Sequence, residues 1–450
     1  MWWCGVVALA LLSWAPVQLE DTWFYASTGR WIVDHHAIPR SDPFSWTVAG
    51  HPWQSNGWLW GVMLWGVWSV GRFAAVAALK PVFVVACALA IRWAARVLGA
   101  GRGTAMVAAL LGVLGTFPFL VERPQLASYL AAPAALAITH LALRRARWWA
   151  WTLGLAALFA LWTNLHSVAL SGVPLVAALA VGDALDRRDE RAARPWLLAG
   201  ATTLAAGIGT LVTPWGVATW THATEVRRIS RGTISEWEPL WARGAGGWIA
   251  LGIVVGVVVL AVRSGGLRRL ELLAPLAVSA VLAVDAIRSF PLFAVVAATT
   301  VAPLVRVGPL TADRRRLATV AAGTVLAVGL VVSATRIPAT GDPADGTPVD
   351  PVAALPAGCR VLNDYRFGNW IMFARPDIPV SDDGRNDLYG SDDNRMALLD
   401  TSVGELPAWV DANGITCLLV APDSPAIAEL SSTGFVVASA DGTAVALTRG

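Results

Sequence analysis

Residues 2–21 read WWCGVVALALLSWAPVQLED. The run 2–17 carries no charge, and two carboxylates, Glu20 and Asp21, follow it at once. A stretch of this length without charge reads as a membrane span. A secretory signal would show a basic start and a small-x-small cleavage site before the acids, and neither is present. The run is therefore expected to be a retained first span that delivers Glu20-Asp21 to the membrane surface.

The rest of the chain extends this reading. Of 450 residues, 56% are hydrophobic and 14% are charged, where a soluble domain has about 25% charged. Mean hydropathy is +0.57. Such a composition excludes disorder, collagen-like repeats, a disulfide scaffold and a plain soluble enzyme. A net charge of +3 is too small to imply a nucleic-acid partner; membrane lipids are the expected surroundings. The 24 Trp suit membrane interfaces, where the ring is apolar and the N–H is wet. Lys80 is the only lysine.

Further apolar runs fall at 74–97, 104–121, 127–143, 148–164, 167–184, 195–213, 247–263, 270–287, 289–306 and 315–335. With the first they make about eleven transmembrane helices. Segment 57–71, GWLWGVMLWGVWSVG, is apolar but short and holds four Trp. The positive-inside rule decides its place. With 57–71 lying at the interface, one side collects Arg92, Arg96, Arg102, Arg144, Arg145, Arg147, Arg187, Arg188, Arg191, Arg194, Arg263, Arg268, Arg269, Arg306 and Arg314 to Arg316. With 57–71 spanning, the later loops change sides and the rule fails. The expectation is a juxtamembrane helix at 57–71, a cytoplasmic N-terminus and a tail outside, in the cell membrane.

The outer face then holds loop 18–56, short turns near 119–126, 164–167 and 288, loop 214–246, and everything beyond 336. Loop 214–246 carries Arg227, Arg228, Arg231 and Arg243 against the charge rule. Arg so placed is a candidate for an anionic ligand. After 337 the composition shifts. A Pro/Gly/Asp linker spans 337–354, and 355–450 alternates β-like runs (CRVLND, IPVSD, ITCLLVAP, FVVASA, AVALTR) with helical ones near FGNWIMFA, 391–400, 405–413 and 424–430. That is an α/β pattern long enough for a small domain. The domain reading is thus 1–336 membrane, 337–354 linker and 355–450 outside. Cys4 and Cys87 fall in spans; Cys359 and Cys417 fall at strands of the outer domain, where a disulfide is one option and two free thiols the other. No metal motif of the CxxC or HExxH kind occurs, and neighbouring His35 and His36 point apart on a helix.

Glu20 and Asp21 have two open readings: solvated interfacial acids, or a general base at the mouth of a membrane cavity. Polar residues recur at the outer ends of later spans: Glu122, Arg123 and Gln125 in VERPQLAS, Asn164 and His166 in LWTNLHS, Glu236 and Glu238 in ISEWEPLW, Asp285 and Arg288 in DAIRSFP. Each alone reads as a cap or an interhelical contact. Their recurrence on one face, at a free-energy cost near lipid, points to an outward polar cavity in which acids activate a hydroxyl and Arg forks hold phosphate oxygens.

The stretches DTWFYASTGRWIVDHHAIPRSDPFSWTVAGHPW, ERPQLAS, WTNLHS, TPWG, ISEWEP and NDYRFGNW…DDGRNDLYG, taken in order, resemble the GT-C superfamily of polyprenyl-phosphate-sugar-dependent glycosyltransferases. Within it they look like a bacterial group related to the protein mannosyltransferase and lipid A aminoarabinose transferase families. The resemblance implies a polytopic α-helical membrane protein with a small extracytoplasmic α/β domain. It also implies transfer of a sugar from a polyprenyl-phosphate donor to a lipid, glycan or protein acceptor, with inversion. The superfamily's base lies at the first acidic motif of the first outer loop, so Asp21, with Glu20 beside it, is the catalytic candidate; Asp34 and Asp42 rank next. Asp42, before Pro, also reads as a turn residue. Substrate-binding candidates are Asp34, Arg123, Gln125, Asn164, His166, Arg227, Arg228, Glu236 and Arg288. Glu20-Asp21 is not a DxD motif, so a divalent metal has no motif support and no cofactor is assigned. In the tail, Asn363, Asp364, Asp382, Asp383, Arg385 and Asp387 read either as a ligand site beyond strand ends or as a salt-bridged scaffold. Two other classes stand beside the transferase: a transporter or flippase of lipid-linked saccharide, and a non-catalytic membrane scaffold with an outer binding domain.

Overall fold

The computed structural model describes residues 2–18, 21–188, 193–232, 234–306, 312–389 and 406–449. Glu20, Arg191 and the helix expected near 391–400 lie outside the described residues. The chain forms two compact units. One comprises Met1–Ala15, Ala77–Arg227 and Ile234–Pro338; the other Pro16–Val76, Arg228–Thr233 and Ala339–Gly450.

The first unit is helical. Its helices are α1 (Trp2–Ser13), α4 (Leu79–Val97), α5 (Arg102–Leu114), α6 (Gln125–Arg144), α7 (Trp148–Leu165), α8 (Ala169–Asp186), α9 (Arg194–Leu211), most of α10 (Ala218–Ser230), α11 (Gly244–Arg263), α12 (Leu270–Asp285), α13 (Phe290–Val301) and α14 (Ala312–Arg336). Each apolar run of the sequence coincides with one of these. Ala, Leu and Val fill them, and the backbone bonds close within each helix, as a bilayer requires. Pro133, Pro174 and Pro275 sit inside α6, α8 and α12, where packed neighbours tolerate the missing bond. Glycines set the closest approaches. A Cβ on Gly182 would meet the Leu270 carbonyl oxygen at 2.4 Å, and one on Gly209 the Ala156 carbonyl oxygen at 2.5 Å. Small residues thus seat α8 against α12 and α7 against α9. By length and apolarity, six described helices suffice to cross a membrane: Trp58–Ala77, Arg102–Phe119, Gln125–Arg144, Ala169–Asp186, Gly244–Arg263 and Thr319–Gly341.

The second unit joins the first long loop to the tail. It contains α2 (Thr22–His35), α3 (Trp58–Ala77, to Val76), α15 (Val349–Ala353), α16 (Tyr365–Ala374), α17 (Asn386–Tyr389), α18 (Leu406–Ala412) and α19 (Ala426–Ser431). In α3 the backbone leaves helical geometry at Gly71 and Arg72. The unbroken part, 58–70, is about 20 Å long, and Trp58–Ala77 reaches spanning length only across this break. Four strands, β1 (Val361–Asn363), β2 (Cys417–Val420), β3 (Phe435–Ala440) and β4 (Val445–Arg449), form one sheet in the order β1-β2-β4-β3. The β1–β2 pair is parallel and the other two are antiparallel. Leu362, Leu418, Val420, Phe435, Val445 and Leu447 bury its core against α18 and α19, with Trp46 of the long loop packed on it.

The run IPVSD, expected as a strand, makes only an isolated bridge between Val380 and Ser45. It is matched by a loop rather than by a strand. Phe44 O accepts from Val380 N, and Val380 O accepts from Trp46 N. Trp23 of α2 meets Trp68, Phe73, Trp370 and Phe373 with ring centroids 4.6–5.6 Å apart. Three of these contacts are edge-on, the favoured aromatic geometry. Arg30 of α2 donates to the carbonyls of Met372 and Phe373 at 2.9 and 3.1 Å. A cation at the C-terminal end of α16 satisfies its last carbonyls and complements its dipole.

Candidate active site

In the second unit, Asp21 occupies the N-cap position of α2 in helical geometry, yet its side chain makes no capping hydrogen bond. Its carboxylate faces the tail motif instead. A Cβ placed on Gly384 would lie 2.8 Å from Asp21 Oδ1, 2.7 Å from Asn369 Nδ2 and 3.1 Å from Asn369 Oδ1. The missing Cβ of Gly384 lets both side chains come this near to segment 381–385. Gly384 N donates to Asn369 Oδ1 at 2.9 Å, which fixes the amide. Tyr365 stands by: its hydroxyl accepts from Asn386 Nδ2 at 3.3 Å. Burial raises the Tyr365 pKa above its ordinary value, and the carboxylates of Asp21, Asp382 and Asp383 add to the shift. The phenol therefore keeps its proton beside the carboxylate.

A buried ionic scaffold holds this segment. Arg385, 1% exposed, donates to Asp383 Oδ1 at 2.7 Å and Oδ2 at 2.5 Å, and to Asp42 Oδ1 at 2.5 Å. Its guanidinium stacks over Trp53 at 4.8 Å and Phe44 at 5.2 Å. Tyr389 donates to Asp383 Oδ2 at 2.7 Å. Asp42 also accepts from Phe44 N and Ser45 N at 3.1 and 3.0 Å, which is the turn chemistry its sequence suggested. Asp42 is thus fully engaged in structure. Asp34 lies exposed at the other end of α2, about 20 Å along the helix from Asp21.

The first unit has its own polar cluster. Arg123 pairs with Glu236 at 3.3 Å. Arg288 lies 4.1 Å over the Trp237 ring. Tyr129, buried on α6, feels the charges of Arg288, Glu236 and Arg123. His166 Nδ1 is 2.7 Å from Ser128 Oγ, and Ser128 Oγ accepts from Trp162 Nε1 at 2.8 Å. Ser128 thus ties the His166 ring on one side to the Trp162 indole on the other. Gln125 begins α6 one turn before Ser128 and Tyr129, on their face. Asn164 is spent on joining helices: its amide donates to Ala160 O at 2.8 Å and Val212 O at 2.7 Å. Arg227 pairs with Asp285 at 2.5 Å. Arg228 is exposed on α10 and belongs to the second unit. Lys80, the lone lysine, forms a buried ion pair with Glu122 at 2.7 Å. Among the described residues, no three His, Cys, Asp or Glu side chains group as a metal site would require.

No family model matches the sequence, and no curated protein does. Solved structures do match. The apo oligosaccharyltransferase of Archaeoglobus fulgidus aligns with a TM-score of 0.61 at 12% identity, over 92% of this chain and 68% of its own. ArnT from Cupriavidus metallidurans bound to undecaprenyl phosphate aligns at 0.56 and 14%, over 99% and 96%. The same ArnT in its apo state gives 0.53 and 13%, over 98% and 95%. The chain shares the polytopic membrane fold of these structures. At such identities the likeness is one of architecture. Sequence reasoning passed over Gly384, Asn369 and Tyr365 as neighbours of Asp21, and Ser128 as the partner of His166, with Tyr129 beside it. The signal for the last two was present: α6 places them one turn beyond Gln125. Lys80 was also legible, because a single lysine in a membrane chain demands an acid.

Proposed function

We propose that the protein is a membrane glycosyltransferase that moves a sugar from a polyprenyl-phosphate donor to an acceptor hydroxyl outside the cytoplasm. The observation that carries this reading is the Asp21 carboxylate. It stands at the exit of the first helix, is not spent as a cap, and is held within a cradle of Gly384 and Asn369 with Tyr365 nearby. Asp21 takes the proton of the acceptor hydroxyl as its oxygen bonds to the anomeric carbon. The bond from that carbon to the phosphate oxygen breaks, its electron pair stays on phosphate, and the anomeric centre inverts. A departing phosphate calls for cationic groups, and within the first unit Arg123 and Arg288 are the sequence's candidates for that role. The ArnT bound to undecaprenyl phosphate supports a lipid phosphate as the donor's leaving group.

The test is Asp21→Asn, purified as the full chain and assayed with a panel of polyprenyl-phosphate sugars. General-base removal should lower turnover by about a hundredfold to ten-thousandfold with the fold retained. A folded variant with wild-type transfer rejects Asp21 as base. Absence of transfer by the wild type, with lipid-linked saccharide crossing liposomes, replaces the transferase by a transporter.

A further inference from the structure

At the ends of α4 and α6 opposite to Lys80 and Gln125, the first unit opens a cavity. The helices are 19 and 20 residues long, so it lies about 30 Å from the Arg123 cluster. Its volume is about 430 Å³, and Trp93, Arg96, His140, Leu141, Arg144 and Arg145 line it. No carboxylate is among the lining side chains. Arg144 is already balanced: it pairs with Asp183 at 2.5 Å and Glu271 at 3.2 Å. Those two acids are shared with Arg187 at 3.6 Å and Arg269 at 2.7 Å. Among the described residues, Arg96 donates to the Ala100 carbonyl. Among the described residues neither Arg96 nor Arg145 has a carboxylate partner. Two uncompensated guanidinium groups therefore face one open cavity.

The surroundings say what kind of anion fits. Val82, Leu89 and Trp93 are 61%, 44% and 41% exposed. At spacings of seven and four residues they form one stripe along α4, and Arg96 continues it by three. The stripe is apolar and leads into the cationic cavity. A free phosphate would use the Arg pair and leave the stripe idle. A phospholipid uses both, with the head group on Arg96 and Arg145 and a chain along α4 over Trp93.

We propose that this cavity is a binding site for the phosphate head group of an anionic membrane lipid. It is distinct from the Arg123 cluster and independent of whether Asp21 is the base. Basic pockets between helices at a membrane surface bind such head groups, each Arg contributing a roughly fivefold gain.

Native mass spectrometry of the full chain in detergent tests it, with phosphatidylglycerol, phosphatidylcholine and inorganic phosphate as probes. Phosphatidylglycerol should bind in preference to phosphatidylcholine. Arg96→Ala combined with Arg145→Ala should weaken that binding by about thirtyfold. Arg336→Ala, at the opposite end of the bundle where its side chain reaches the Leu12 carbonyl, should leave it unchanged. Because Arg96 also holds the Ala100 carbonyl, Arg145→Glu alone serves as the second variant and should weaken binding at least fivefold. Equal binding of the two lipids overturns the proposal, as does undiminished binding by Arg145→Glu. Displacement of the lipid by inorganic phosphate at equal concentration reassigns the cavity to a soluble anion and overturns the lipid assignment.

Discussion

Gly384→Ala is the sharpest perturbation of the Asp21 cradle. The new methyl would stand 2.8 Å from Asp21 Oδ1 and 2.7 Å from Asn369 Nδ2, where ordinary contact begins at 3.4 Å. The carboxylate must then retreat by about 0.6 Å. A misplacement of 1 Å in a reacting group is worth on the order of a hundredfold in rate, so a shift of this size predicts a loss of roughly tenfold. Both obstructing groups are side-chain ends, so the backbone has no need to move and the fold should survive. Gly368→Ala is the contrast. There the methyl would meet the Asp382 carbonyl oxygen at 1.9 Å and the Asp383 Cα at 2.9 Å, so the backbone itself must give. The assay is turnover with polyprenyl-phosphate sugars, read beside thermal unfolding of the full chain. Gly384→Ala should lose turnover with its unfolding temperature nearly kept, and Gly368→Ala should lose both. A folded Gly384→Ala with full turnover, where Asp21→Asn is inactive, would refute the idea that this cradle positions the base.

Three further outcomes follow from the second unit. Arg385→Ala leaves Asp42 and Asp383 buried without their cation, which should cost about 3–5 kcal/mol; limited proteolysis should cleave the tail much faster, and an unchanged cleavage rate would contradict the buried triad. Tyr365 has a raised pKa from burial and nearby carboxylates, so the folded state holds its proton longer than the unfolded state. Its contribution to stability is complete below the unfolded value near 10 and declines as pH rises through the folded one. An absorbance titration against Tyr365→Phe should place its ionisation above that of free tyrosine, and Asp21→Asn should move it down; no movement would separate the two residues. Cys359, two residues before β1, and Cys417, at the start of its neighbour β2, are buried free thiols, so protein from an oxidising compartment should resist alkylation at both until reduced, and ready labelling of either without reductant would show that the pair stays open.

The helical bundle was legible because its cause is local. Each apolar run must close its own backbone bonds in lipid, and every run found by reading the chain became a helix. The strands of the tail were legible for a similar reason, except at IPVSD, where hydrophobic alternation promised a strand and the partner turned out to be the loop around Ser45. Asp21 was singled out as a candidate by its place after the first helix and by family resemblance. Its surroundings were not, since nothing near Asp21 in the chain points to Gly384.

What the sequence determined by itself is the membrane class, the run of helices and the α/β tail. These rest on composition and on contacts within a few residues. Only the tertiary structure decided that loop 18–56 and the tail form one unit, that Asp42 is bound to Arg385 across 343 residues, and that Asp34 stands a helix length from Asp21. An ion pair or a glycine contact between distant segments leaves no periodic trace in either segment. Its energy comes from burying complementary groups together, and that is settled when the chain packs.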